Sequence, residues 1–238
     1  MKILALETSA KAVSAAVTEG GRVLALGFQD TGLTHSRTLM PIVEHILKNA
    51  DLTMADIGAV AAAVGPGSFT GIRIGVSAAK GLAFAASIPA VGVSTLAAMA
   101  RNAAFADGLV VCAMDARRNQ IYNALFEAKN GELARLTPDR AIGLDELSQE
   151  LRGDPRSKIV VGDGGRLCAE ALAAAGVACR LAPPHLVMQS AATVALEAEE
   201  AARNGGLVSA QELLPVYLRP PQAERLRKER ETGEKSGQ

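Results

Sequence analysis

The chain has 238 residues, 49% of them hydrophobic and 21% charged, which permits one large domain or two small ones around a substantial core. Twenty-five basic side chains balance twenty-five acidic ones, so no global charge draws the chain toward nucleic acid. Aromatics make up 3% and tryptophan is absent, so the core has to be packed from small aliphatic residues.

The patterning predicts strands over Lys2 to Leu6, Ala12 to Thr18 and Arg22 to Phe28, the last two joined by a Gly20-Gly21 hairpin. A helix over Ser36 to Ala50, a strand over Ile57 to Val64 and a helix over Ile74 to Ala86 follow. A short strand, Ala90 to Val93, and a helix over Leu96 to Ala104 close the first half. The second half repeats the order. Strands are predicted over Leu109 to Ala113, Gln120 to Glu127 and Glu132 to Thr137, with Asn130-Gly131 as the turn. A helix over Leu144 to Leu151, a strand over Lys158 to Val161 and a helix over Leu167 to Ala175 complete it. Two β-β-β-α-β-α units imply a duplicated α/β architecture. The predicted subdomains are 1–106 and 107–221, with the boundary near Ala106-Asp107-Gly108. A further helix, Ala191 to Arg203, is expected to pack back on the first subdomain. Residues 222–238 read as a charged, disordered or frayed tail.

Targeting and membrane signals are weak. The first strand meets Glu7 too early for a signal peptide. The apolar stretch Ile74 to Pro89 is interrupted by Lys80 and too short to span a bilayer. Cys112, Cys168 and Cys179, without CxxC spacing, read as reduced thiols. A cytoplasmic protein is expected.

The most informative segment is Gly65-Pro66-Gly67-Ser68-Phe69-Thr70-Gly71-Ile72-Arg73-Ile74-Gly75. Glycines at a strand-to-helix junction bend the backbone sharply and let something come close. Ser68 and Thr70 are natural helix caps, and helix-opening N–H groups attract anions. The residues leave two readings open, a phosphate loop and a tight turn for close packing. Glu7-Thr8-Ser9 closes the first strand and Asp115-Ala116-Arg117-Arg118 the matching strand of the second half. Carboxylates facing each other across two lobes suit a magnesium-nucleotide cleft; the alternative is that both make turn hydrogen bonds. The candidate phosphate or nucleotide residues are therefore Glu7, Thr8, Ser9, Gly65, Gly67, Ser68 and Asp115. His35, His45 and His185 show no metal-ligand spacing, and Ser68 does not sit in a nucleophile elbow, so no metal or catalytic residue is assigned.

Two helices carry a candidate partner surface. Leu39, Ile42, Val43 and Ile46 form an apolar stripe on the first. On the second, Gly71, Gly75, Ala79 and Ala83 recur every four residues, as do Ser77, Gly81 and Ala85. The expected interface comprises the four stripe residues with Gly71, Arg73, Gly75, Ala79 and Leu82. On this reading, leucine at Gly75 or Ala79 breaks association and leaves folding intact.

Together, Ile3-Leu4-Ala5-Leu6-Glu7-Thr8-Ser9, the glycine loop, Asp115-Ala116-Arg117-Arg118 with Ile121-Tyr122, and Pro215-Val216-Tyr217-Leu218-Arg219 resemble the TsaB (YeaZ) family of bacterial tRNA threonylcarbamoyladenosine biosynthesis proteins, in the glycoprotease-like superfamily. The resemblance runs from Met1 to about Arg219. It implies the duplicated actin-like ATPase (ribonuclease H-like) fold. It also implies an accessory role beside the catalytic paralogue TsaD and the ATPase TsaE, with a homodimer when the chain is alone and tRNA reached only indirectly. No cofactor is implied for this chain itself; ATP or ADP with magnesium belongs to the assembled complex. The catalytic relative carries a histidine pair where Thr95 and Met99 stand here, and neither side chain replaces imidazole on a metal. Glu7 departs from the Asp that many relatives of the fold place at that strand end. Two other readings compete, a phosphotransferase of the same fold and a glycoprotease-type peptidase.

Overall fold

A computed structural model describes residues 1–219, so the predicted tail lies outside the described residues. The first sheet contains β1 (Lys2–Glu7), β2 (Val13–Glu19), β3 (Arg22–Gln29), β4 (Ala59–Gly65) and β5 (Ala90–Ser94), in the order β3-β2-β1-β4-β5. The second contains β6 (Gly108–Asp115), β7 (Gln120–Lys129), β8 (Glu132–Arg135), β10 (Lys158–Val161) and β11 (Arg180–Leu181), in the order β11-β10-β6-β7-β8, while β9 (Arg140–Gly143) pairs with β7. The two orders are the same path traced twice. In each, a hairpin flanks the central strand on one side and a parallel crossover strand flanks it on the other. Both hairpins turn through residues of positive φ, Gly20 and Gly21 in the first and Asn130 and Gly131 in the second, as the right-handed twist of the strands demands.

Helices α1 (His35–Asn49) and α2 (Phe69–Ala86) cover one face of the first sheet; α4 (Leu144–Leu151) and α5 (Gly165–Ala174) cover the corresponding face of the second. Helix α3 (Thr95–Ala100) sits between the lobes, with Ala98 on the first sheet and Leu96, Met99 and Ala100 on the second. Beyond the short α6 (Pro184–Val187), α7 (Ala191–Arg203) returns to the first sheet. Its Ala191, Val194, Ala195 and Ala198 pack on Ile3, Ala5, Ala16, Ala59, Ala61 and Ala63. A layer of alanine facing alanine lets helix and sheet approach closely, as the composition requires. Glu199 fastens this helix, accepting from Thr18 Oγ1 at 2.6 Å and from the Gly21 amide at 2.7 Å.

The expected partner surface is corrected here. Leu39, Ile42, Val43 and Ile46 are buried in the chain's own first core. Gly71, Gly75 and Ala79 also face inward. A Cβ on Gly71 would collide with the Thr8 carbonyl, and one on Gly75 with the Thr8 hydroxyl, which donates to Gly71 O at 2.7 Å. The small-residue row lets α2 lie flush on the β1–β2 turn. The other row, Ser77, Gly81 and Ala85, is the exposed one, and a Cβ on Gly81 would meet nothing within 4 Å. Arg73 is exposed and Leu82 half-buried. Helix α2 also starts five residues ahead of the predicted Ile74. Ser68 is its cap, its Oγ accepting from Gly71 N at 3.2 Å, and Thr70 lies inside the first turn.

The two glycines should therefore respond in opposite directions. Gly75→Leu drives a side chain into Thr8 and should lower stability by at least about 2 kcal/mol. Gly81→Ala should raise it by roughly 0.5–1 kcal/mol by restricting the unfolded chain. Urea unfolding of both variants against the parent checks the pair; similar midpoints for all three would refute the assignment of the two faces.

Candidate functional site

The carboxyl ends of β1, β4, β6 and β10 converge on a cleft of about 550 Å³ between the lobes. On the first lobe it is lined by Ser9, Lys11 and the segment Pro66 to Thr70. On the second it is lined by Asp115, Arg117, Tyr122 and Asp163, and the segment Val216 to Arg219 forms its edge. That segment is a strap: the Val216 amide donates to Val64 O at 2.8 Å, and Lys80 Nζ donates to Gln211 O at 2.9 Å and Leu213 O at 3.2 Å. Gly65, with φ of 132°, has no room for a Cβ because the Val216 carbonyl occupies the place. Gly67 is pressed in the same way on Ser9 O, which accepts from the Ser68 amide at 2.7 Å. The glycines thus serve close packing of the loop against its own chain. Ser68 is engaged as a helix cap, which accounts for its hydroxyl without a nucleophilic role.

The two strand-end carboxylates have different environments. Asp115 is exposed, and its Oδ1 accepts from the Arg117 amide at 2.7 Å, a local turn bond. Glu7 is fully buried; its Oε1 accepts from the Ser9 amide at 2.5 Å, and Oε2 finds no partner among the described residues. Burial pushes the Glu7 carboxyl up from its ordinary 4.5 to about 7, hydrogen bonds from Ser9 pull against this, and the negative Asp163 adds to the rise. Asp163, at the turn between β10 and α5, is itself raised, chiefly by burial, and accepts from Gln189 Nε2 at 3.0 Å. Among the described residues, no three His, Cys, Asp or Glu side chains stand where they could hold a metal ion. The two strand-end carboxylates are thus each engaged by a backbone amide two residues on, one exposed and one fully buried.

Sequence reasoning missed Asp163. Its signal was the repeat itself: Gly162-Asp163-Gly164-Gly165 follows β10 as the Gly65 loop follows β4. Gly162, with φ of 113°, presses on Ala113 O, and Gly164 on the Asp115 amide. Gln189 had no such signal. Thr95 and Met99 are both fully buried; Met99 belongs to the second lobe's core, and the Thr95 hydroxyl has no partner among the described residues. A second cavity, about 400 Å³ at the opposite end of the second lobe, is lined by Asp154, Arg156 and Lys158, whose charges pair with one another.

A duplicated, two-lobed α/β protein with a cleft at the strand ends is of the actin-like class. In agreement, component A of the Acidaminococcus fermentans (R)-2-hydroxyglutaryl-CoA dehydratase shares the fold at a TM-score of 0.50 and 12% identity over 85% of this chain and 99% of that one. Residues 29–219 match the family model for TsaD, tRNA N6-adenosine threonylcarbamoyltransferase. The Escherichia coli TsaB protein is 32% identical over 92% of this chain and 95% of its own. The Bacillus subtilis TsaB protein is 36% identical over 68% and 71%. YeaZ from Pseudomonas aeruginosa superposes with a TM-score of 0.77 at 29% identity, covering 91% of this chain and 99% of that one. The chain belongs to the TsaB (YeaZ) family of tRNA threonylcarbamoyladenosine biosynthesis proteins, and its role lies in that tRNA modification.

The buried acid has a testable consequence. Glu7 ionises near 4.5 in the unfolded chain and near 7 in the folded one. Across that window the folded state holds the extra proton, so stability falls as pH rises and levels off above it. Glu7→Gln removes this term. The variant should match the parent at about pH 4 and exceed it by on the order of 3 kcal/mol at about pH 8. Urea midpoints across the range check this, and parallel pH profiles for the two proteins would refute it.

Proposed function

We propose that this chain acts in threonylcarbamoyladenosine formation as a non-catalytic subunit. It pairs with the transferase paralogue TsaD, works beside the ATPase TsaE in the cytoplasm, and forms a homodimer when TsaD is missing. The observation that carries the reading is the β5–α3 junction. Where the resemblance puts the catalytic relative's histidine pair, Thr95 and Met99 are sealed in the core, out of reach of metal or substrate. The burial of Glu7, whose Oε1 is already taken by the Ser9 amide, argues in the same direction against the phosphotransferase alternative. Any ATP or ADP with magnesium belongs to the assembled complex.

The outward face of α2 supplies the partner surface. It exposes Arg73, Ser77, Gly81, Phe84 and Ala85, with Phe84 71% exposed. A glycine inside a helix costs about 1 kcal/mol relative to alanine, and nothing in the chain's own packing requires Gly81 to lack a side chain. Close approach of another backbone supplies the reason, and the bare Phe84 supplies an anchor.

Light scattering of the chain alone and mixed with TsaD of the same organism tests this. A homodimer should exchange into a heterodimer. Gly81→Leu and Phe84→Glu should each weaken the heterodimer at least about tenfold with thermal midpoints no lower than the parent's. A chain that stays monomeric beside TsaD would overturn the reading.

A further inference from the structure

The chain has only five phenylalanines and two tyrosines, yet both tyrosines and Phe69 line the interlobe cleft. They are arranged with guanidinium groups. The Phe69 and Tyr217 rings stand 4.8 Å apart at 33°. The Arg73 guanidinium lies 3.8 Å over Phe69, and its Nε donates to the Tyr217 hydroxyl at 2.9 Å. On the second lobe, the Arg219 guanidinium lies 5.9 Å from the Tyr122 ring centre and donates to Ala116 O at 2.9 Å. Lys11 is exposed at the same rim. Planar groups held in place by their neighbours lose little freedom on binding another planar group, and cations beside them attract phosphates.

Carboxyls share the cleft: Asp115 and Asp163 line it, Asp115 exposed and Asp163 half-buried, and Glu7 is fully buried. A free nucleoside polyphosphate would bring its charge against those carboxyls. A single RNA strand would keep its phosphates at the rim and send one base inward. We propose that the rim of this cleft binds single-stranded RNA directly, an unpaired base stacking on Tyr217 and Tyr122 while Lys11 and Arg219 hold the adjoining phosphates. The choice of RNA rests on the tRNA-modification reading above, and it adds a direct contact where the sequence suggested only an indirect one.

The test is fluorescence anisotropy of the full chain with an end-labelled RNA hairpin carrying an unpaired loop, against a fully paired duplex of equal length. The hairpin should bind and the duplex should bind much less. Tyr217→Ala and Tyr122→Ala should each weaken hairpin binding about tenfold. Tyr217→Phe, which keeps the ring and loses only the bond to Arg73, should bind like the parent. Lys11→Gln should weaken binding and flatten its salt dependence. Equal affinity in the alanine variants, equal affinity for the duplex, no RNA binding at all, or displacement of the hairpin by excess ADP would each overturn the proposal. Pairing with TsaD, scored by light scattering on the same variants, separates the two readings. Unaltered RNA binding by variants that still pair sinks the RNA contact alone; failure of the parent chain to pair sinks the subunit reading.

Discussion

The structure depends on how closely α2 approaches the end of β1. Two helical glycines, Gly71 and Gly75, have Thr8 where their side chains would be, and the Thr8 hydroxyl closes the contact on Gly71 O. The next link, from the Ser68 amide to Ser9 O, fixes the loop ahead of the helix on the same turn. Beside this contact the Glu7 carboxyl is fully buried, with the Ser9 amide on its Oε1. Because the helix begins at Phe69, its first turn faces the cleft while Gly81 and Phe84 face away. One packing constraint thus sets the cleft floor, its rim and the outer face of the helix.

The second lobe meets the same problem with other residues. Gly162 and Gly164 press on the end of β6 as Gly65 and Gly67 press on the strap and on Ser9. Strand order is retained, but the periphery has shrunk: β8 has four residues against eight in β3, and α4 eight against fifteen in α1. The first sheet has gained what the second lacks, α7 on its alanine face and the strap beside α2. Arg219 carries that strap to the second lobe through Ala116.

Much of this was legible in the sequence. The helices over 144–151 and 191–203 and the strand over 158–161 were readable to the residue, because turn signals flank clear periodicity. The two glycine hairpins were readable because few residues other than Gly and Asn accept positive φ. Strands β9 and β11, at four and two residues, are too short to show an alternating pattern. The face of α2 was misread for a different reason. Both Gly71-Gly75-Ala79 and Ser77-Gly81-Ala85 recur every four residues, and periodicity finds rows without saying which row faces the core. Thr8, more than sixty positions away in sequence, decides it. The loop carries the same ambiguity: a glycine that admits a ligand and one that admits a carbonyl of the same chain look alike in sequence.

Net charge misleads at this site for a related reason. A sum of zero is compatible with any arrangement, and here cations, rings and carboxyls line one cleft. Burial raises both Glu7 and Asp163, so the negative charge of the cleft is weaker than its formula suggests.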